Sequence, residues 1–123
     1  MTHAPLRLHG LRTVIYPAPD LAAAKAWWGG LLGFEPYFDE PFYVGFEVAG
    51  YELGLLPDAD PAGGPVTYWG VENLEAAVDA VLAAGGTLHT PPQDVGGGIR
   101  TAVTRTPTGA PLGLIVNPHF SLD

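Results

Sequence analysis

PDLAAAKAWWGGLLGF, residues 19–34, holds a complete set of signals for one helix. Asp20 is a residue type that caps a helix by accepting a hydrogen bond from an unpaired backbone N–H of the first turn. Leu21, Ala24, Trp28 and Leu31 or Leu32 then recur at helical spacing, and Gly33 supplies the stop. Around this helix, β-branched and alternating runs predict strands at 11–16, 42–48 and 51–56, with a weaker extended segment at 34–39.

The same order returns further along the chain. Asn73 caps a second helix whose stripe is Leu74, Ala77 or Val78, and Val81 or Leu82, ending at Gly85-Gly86. Strands are predicted at 65–71, 99–105 and 112–116, with a weaker segment at 86–90. Asp20-Leu21 matches Asn73-Leu74, 53 positions on, and Leu53-Gly54-Leu55-Leu56 matches Leu112-Gly113-Leu114-Ile115, 59 positions on. The second half is thus longer by six residues, expected in a loop over Pro91–Gly98.

Each half reads strand, helix, strand, strand, strand. The expectation is an α+β fold of two βαβββ modules, at about 8–58 and 65–118, within a single domain over 1–123. With both helices on one side of a mixed sheet, the opposite, concave side would enclose a pocket. A ferredoxin-like βαββαβ sandwich is the rival arrangement, but it leaves a hairpin in each half unexplained.

Composition narrows the function. Apolar residues make up 47% of the 123 residues and charged residues 15%, which suits a packed core. The 17 glycines and 13 prolines favour short elements. Thirteen acids face five bases, and the arginines at 7, 12, 100 and 105 form no run, so a nucleic-acid backbone or an anionic membrane is a poor partner. No cysteine is present, and Ser121 is the only serine, which argues against thiolate and serine nucleophiles. The absence of a signal peptide or spanning apolar run predicts a soluble, cytoplasmic protein.

Several motifs resemble the vicinal oxygen chelate superfamily, which includes glyoxalase I, bleomycin-resistance proteins and extradiol dioxygenases. Pro19-Asp20-Leu21, Trp27-Trp28 and Leu31-Leu32-Gly33-Phe34 are similar to its first module. Tyr68-Trp69-Gly70-Val71-Glu72-Asn73-Leu74 and Pro107-Thr108-Gly109 are similar to its second. Asp94 to Arg100 and Asn117-Pro118-His119-Phe120 resemble a glyoxalase-like subgroup without a defined reaction, and the likeness covers residues 8 to 120. The resemblance implies His, Gln or Glu metal ligands on the first and fourth strands of each module. It places those positions at Thr13, Val66, Gly54 and Gly113, a set that cannot chelate a metal. A homodimer is also implied by the resemblance, and Trp27, next to the core-facing Trp28, is expected from its place on the helix to be available to a partner subunit.

Among residues that could act chemically, alternation puts Glu52, Gly54 and Leu56 on the cavity face and Leu53 and Leu55 against the helices. Glu52 is the candidate catalytic residue, a general base or a counter-ion for a cationic ligand; the alternative is a solvated strand-end carboxylate. Val66, Tyr68 and Gly70 are expected to face the cavity, with Trp69 on the helix side. Tyr43 and Phe46 must point to opposite sides, which side being open. Glycine at 54 and 113 would open space for a ligand. Arg100, after Gly96-Gly97-Gly98, belongs either to a plain hairpin or to a flap that anchors a carboxylate. His3, His9, His89 and His119 show no metal-binding spacing, although His9, His119 and Glu52 could meet in a displaced site.

The expected function is a small-molecule-binding protein without the family's metal. Its ligand would be neutral or cationic and would contact Thr13, Glu52, Gly54, Val66, Tyr68, Arg100 and Gly113. The alternatives are a divalent-metal-dependent lyase, isomerase or dioxygenase with displaced ligands, or a purely structural, dimerising role.

Overall fold

A computed structural model describes residues 6–119, so that His3, Phe120 and Ser121 lie outside the described residues. The elements are β1 (Leu11–Pro17), α1 (Leu21–Leu32), β2 (Phe38–Glu40), β3 (Tyr43–Val48), β4 (Tyr51–Leu56), β5 (Val66–Gly70), α2 (Leu74–Ala83), β6 (Thr87–Gly96), β7 (Ile99–Arg105) and β8 (Pro111–Val116). The repeated βαβββ order is present, and the six-strand sandwich is excluded. The chain divides into two compact units, Thr13–Val66 and the described residues on either side of it.

In Thr13–Val66 the strand order is β2-β3-β4-β1, with β1 parallel to β4 and the other pairs antiparallel. Asp20 caps α1 as its type suggests, accepting the Ala23 N–H at 3.1 Å, and Gly33 ends it in the left-handed conformation at φ 83°. Val44, Phe46, Leu55 and Ala18 form the buried core, with Leu21, Ala24, Trp28 and Leu32 packed on it. Phe46 is fully buried, and truncating such a ring to alanine costs about 3–5 kcal/mol. Leu31 and Trp27 stay exposed, so the stripe closes on Leu32, and Trp27 meets Trp28 edge-on at 5.0 Å. Ala49 and Gly50, both at positive φ, make the two-residue turn between β3 and β4.

The other unit has the order β5-β8-β7-β6, with β5 parallel to β8. Asn73 caps α2 by accepting the Ala76 N–H at 3.0 Å. Leu74, Ala77, Val78 and Val81 are buried with Val71, Ala102 and Leu114. Residues 91–96 are not a loop, contrary to expectation. β6 runs for 10 residues and takes up the additional length with register shifts against β7 between Leu88 and Gly96. Gly96, Gly97 and Gly98 all have positive φ at the hairpin tip, the conformation for which glycine is suited. The His119 ring holds that tip through a 2.7 Å contact between Nε2 and the Gly97 carbonyl. Among the described residues no helix is long and apolar enough to cross a membrane.

Candidate functional site

Leu55 is buried and Leu53 packs on the α1 core, so strand alternation turns Glu52 and Gly54 to the opposite face of β4. There the Glu52 carboxylate is met by three hydroxyls from three elements. Tyr37, just before β2, donates to Oε2 at 2.8 Å, and Tyr43 on β3 donates to the same oxygen at 2.9 Å. Thr13 on β1 reaches Oε1 at 3.5 Å, a long and weak bond. Phenol-to-carboxylate bonds are the strong, charge-assisted kind. They hold the partly exposed Glu52 carboxylate in a polar setting of hydroxyl donors.

Register explains the convergence. Thr13 is the direct partner of Glu52 across the parallel β1/β4 pair, and Gly45 is the partner of Gly54 across β3/β4. A Cβ on Gly45 would stand 2.7 Å from Glu52 Oε2 and 3.1 Å from the Tyr37 ring. The bare backbone at 45 is therefore what admits the carboxylate and its tyrosine. The Tyr37 N–H also donates to the Gly45 carbonyl at 3.0 Å, which fixes the segment entering β2. Burial, together with the hydrogen bond and charge of Glu52, holds the Tyr37 hydroxyl well above the usual phenol range. The residue as a whole is 63% exposed, so this burial acts at its hydroxyl end.

Gly54 does not open space. Its missing side chain is replaced by the Tyr43 ring, which lies over it. Tyr43 thus shares the Glu52 face while Phe46 takes the core, settling the orientation left open from sequence. In the other unit the Tyr68 ring lies over its register partner Gly113 in the same manner, and burial raises the Tyr68 hydroxyl pKa. The Arg12 guanidinium covers Gly70. The expectation that glycines at 54 and 113 enlarge a cavity is corrected, because neighbouring rings fill both positions.

The predicted ligand-binding residues belong to both units. Thr13, Glu52 and Gly54 come together; Tyr68 and Gly113 come together in the other unit; Val66 opens β5. Arg100 turns to α2, where Nη1 donates to Glu75 Oε1 at 3.1 Å and Nη2 to Oε2. Tyr37 and Gly45 were missed by sequence reasoning. The available signal was the two-residue spacing of Tyr43 and Gly45, which puts both on one face of β3.

The residues at the family's metal positions do not fit a metal. Val66 has no donor atom, Gly54 and Gly113 have no side chain, and the Thr13 hydroxyl is directed at Glu52. The β1/β4 register further places Glu52, rather than Gly54, beside Thr13. Among the described residues no three of His, Cys, Asp and Glu come together, and His119 is engaged with Gly97. Surface clefts lie elsewhere among the described residues, including one lined by Lys25, Gly29 and Phe34 at the end of α1 and one lined by Leu6, His9 and Ala77 beside α2. The convergence of polar groups, rather than cleft size, singles out Glu52.

A family model described as the Glyoxalase/Bleomycin resistance protein/Dioxygenase superfamily matches residues 10–114. "Putative glyoxylase CFP32" of Mycobacterium bovis is 33% identical over 107 residues, covering 77% of this chain and 41% of that protein. Its Mycobacterium tuberculosis counterpart gives the same figures. The chain thus spans about two fifths of the length of these curated relatives. A methylmalonyl-CoA epimerase variant from Streptomyces coelicolor has the same fold, with a TM-score of 0.73 at 17% identity over 94% of this chain and 99% of that one. A superfamily member from Vibrio splendidus 12B01 gives a TM-score of 0.65 at 18% identity, covering 87% and 99%.

Proposed function

Given that this chain belongs to the Glyoxalase/Bleomycin resistance protein/Dioxygenase superfamily, we propose that it binds a small organic molecule on the Glu52 face of Thr13–Val66, without the family's metal. The observation behind this reading is the convergence of Tyr37, Tyr43 and Thr13 hydroxyls on one carboxylate, on the strand face turned away from the α1 core. Two strong donors share Oε2, so the carboxylate is held in one orientation with acceptor capacity left on Oε1. A pre-oriented acceptor of this kind fixes a ligand rather than supplying packing energy, since a leucine would serve a core better.

The experiment is a small-molecule screen followed by amide NMR on the wild type, Glu52→Gln and Tyr43→Phe. A ligand is expected to shift the amides of Thr13, Gly45, Glu52 and Gly54 saturably, with affinity about tenfold weaker in Glu52→Gln, as for loss of a charged hydrogen-bond partner. Shifts confined to other residues, or indifferent to Glu52→Gln, overturn the reading. Elemental analysis of the purified protein is the companion measurement. Substoichiometric metal is expected, while one tightly held divalent ion per chain would favour a metal-dependent lyase, isomerase or dioxygenase with displaced ligands.

A further inference from the structure

We propose that the molecule bound at Glu52 is an organic ammonium ion, gripped by the carboxylate and by the aromatic rings beside it; this rests on the Glu52 face being a binding site at all. The distribution of charge is the first ground. Residues 13–66 contain eight acids and one base, Lys25, so this unit holds −7 of the net charge of −8. The remaining residues balance five acids with four arginines. Lys25 is itself engaged with Asp39 at 2.8 Å. A unit of this sign concentrates cations and repels carboxylates and phosphates.

The second ground is the state of the Glu52 carboxylate. Both phenols donate to Oε2, while Oε1 accepts the long, weak bond from Thr13. An ammonium N–H is a stronger donor to Oε1 than the distant Thr13 hydroxyl, and its charge makes the contact an ion pair. Glu47 stands directly opposite Glu52 in the β3/β4 register, a like-charge pairing that a bound cation relieves.

Aromatic rings are the third ground. Phe38 is the register partner of Gly45, which puts it on the Glu52 face. Its ring lies 6.5 Å from Tyr37, 6.1 Å from Tyr43 and 6.0 Å from Phe42, centroid to centroid. Tyr37 and Phe42 are 63% and 60% exposed. Rings left open to water beside a carboxylate present π faces to a cation, and an alkyl or aryl group on that cation covers their apolar surface. A neutral molecule of the same shape would obtain the stacking alone.

Benzylamine, protonated at neutral pH, and benzyl alcohol separate these cases, being nearly identical in shape and different in charge. Amide NMR titrations with each probe are compared on the wild type, Glu52→Gln and Phe38→Ala, with circular dichroism to verify folding. Benzylammonium is expected to bind about tenfold more tightly than the alcohol, with the preference lost in Glu52→Gln and both probes weakened in Phe38→Ala. Tyr37→Phe serves as a second variant should Glu52→Gln fail to fold, and it should weaken benzylammonium in the same direction. Equal binding of the two probes at this face overturns the cation assignment and leaves the binding face standing. No perturbation of Thr13, Gly45, Glu52 or Gly54 by either probe overturns both.

Discussion

Tyr43 lies across Gly54: its hydroxyl and the adjoining ring edge occupy the space that any Cβ at position 54 would need, and the same hydroxyl donates to Glu52 at 2.9 Å. One side chain thereby fills the gap in β4 and orients the carboxylate next to it. Tyr68 covers Gly113 similarly, but there the Thr67 carbonyl also crowds the site, 2.7 Å from where a Cβ would stand.

That difference separates two glycine substitutions of identical chemistry. At Gly54 the three nearest obstructing atoms all belong to the Tyr43 side chain, so Gly54→Ala should displace that ring and remove its bond to Glu52, at about 1–3 kcal/mol. In a Tyr43→Ala background the same change should become neutral or stabilising, since alanine suits a strand interior better than glycine by about 0.5–1 kcal/mol. Gly113→Ala should stay destabilising in a Tyr68→Ala background, because the backbone of β5 remains in the way. Urea denaturation of the two double-mutant cycles measures the contrast.

Tyr37 and Tyr68 both have raised hydroxyl pKa values, Tyr37 through burial and then Glu52, Tyr68 through burial. Alkaline absorbance titration should show a late phenolate component, reduced in Tyr37→Phe and in Tyr68→Phe. The sign for stability follows from proton uptake. The unfolded tyrosine ionises near its ordinary value of 10.0 while the folded one keeps its proton. The contribution of Tyr37 is therefore fully present below that pH and lost as pH rises above it. Stability of the wild type should fall more steeply than that of Tyr37→Phe across this alkaline range, and parallel slopes would refute the coupling.

The turn joining β3 to β4 places Ala49 at φ 53°, the one non-glycine residue with positive φ among the described residues. Left-handed backbone costs an ordinary residue about 1–2 kcal/mol, and asparagine tolerates it better. Ala49→Asn should therefore raise stability by about 0.5–1 kcal/mol, measured as a higher denaturation midpoint. Glu47, whose Oε1 accepts the Gly50 N–H at 2.8 Å, is left in place by the change.

Arg100 forms an ion pair with Glu75 on α2, and both side chains are well exposed. Arg100→Ala should leave ligand affinity at the Glu52 face unchanged and barely alter stability, as befits a screened surface pair. A large loss of affinity, measured by the same titrations, would restore Arg100 to the binding residues.

Local signals sufficed for the elements themselves. Asp20 and Asn73 cap the two helices because their short side chains reach the first free N–H groups, and Gly33 ends α1 because glycine takes φ 83° without strain. Leu53 and Leu55 face α1, so the alternation of β4 was legible, and with it the outward turn of Glu52. The internal repeat made the doubled βαβββ order readable from residue spacing alone.

Partners across strands were a different matter. That Glu52 faces Thr13, that Tyr37 and Tyr43 meet on one carboxylate oxygen, and that Gly45 makes room for them are consequences of register between strands far apart in sequence. A shift of one residue would turn each of these side chains to the other face without altering any local preference. The same holds for Gly54 and Gly113, whose missing side chains suggest empty space until a neighbouring strand lays a tyrosine over each. Periodicity and capping chemistry are properties of a segment, and the sequence alone determines them; the surroundings of Glu52 belong to the packing of four strands, and only the tertiary structure decides those.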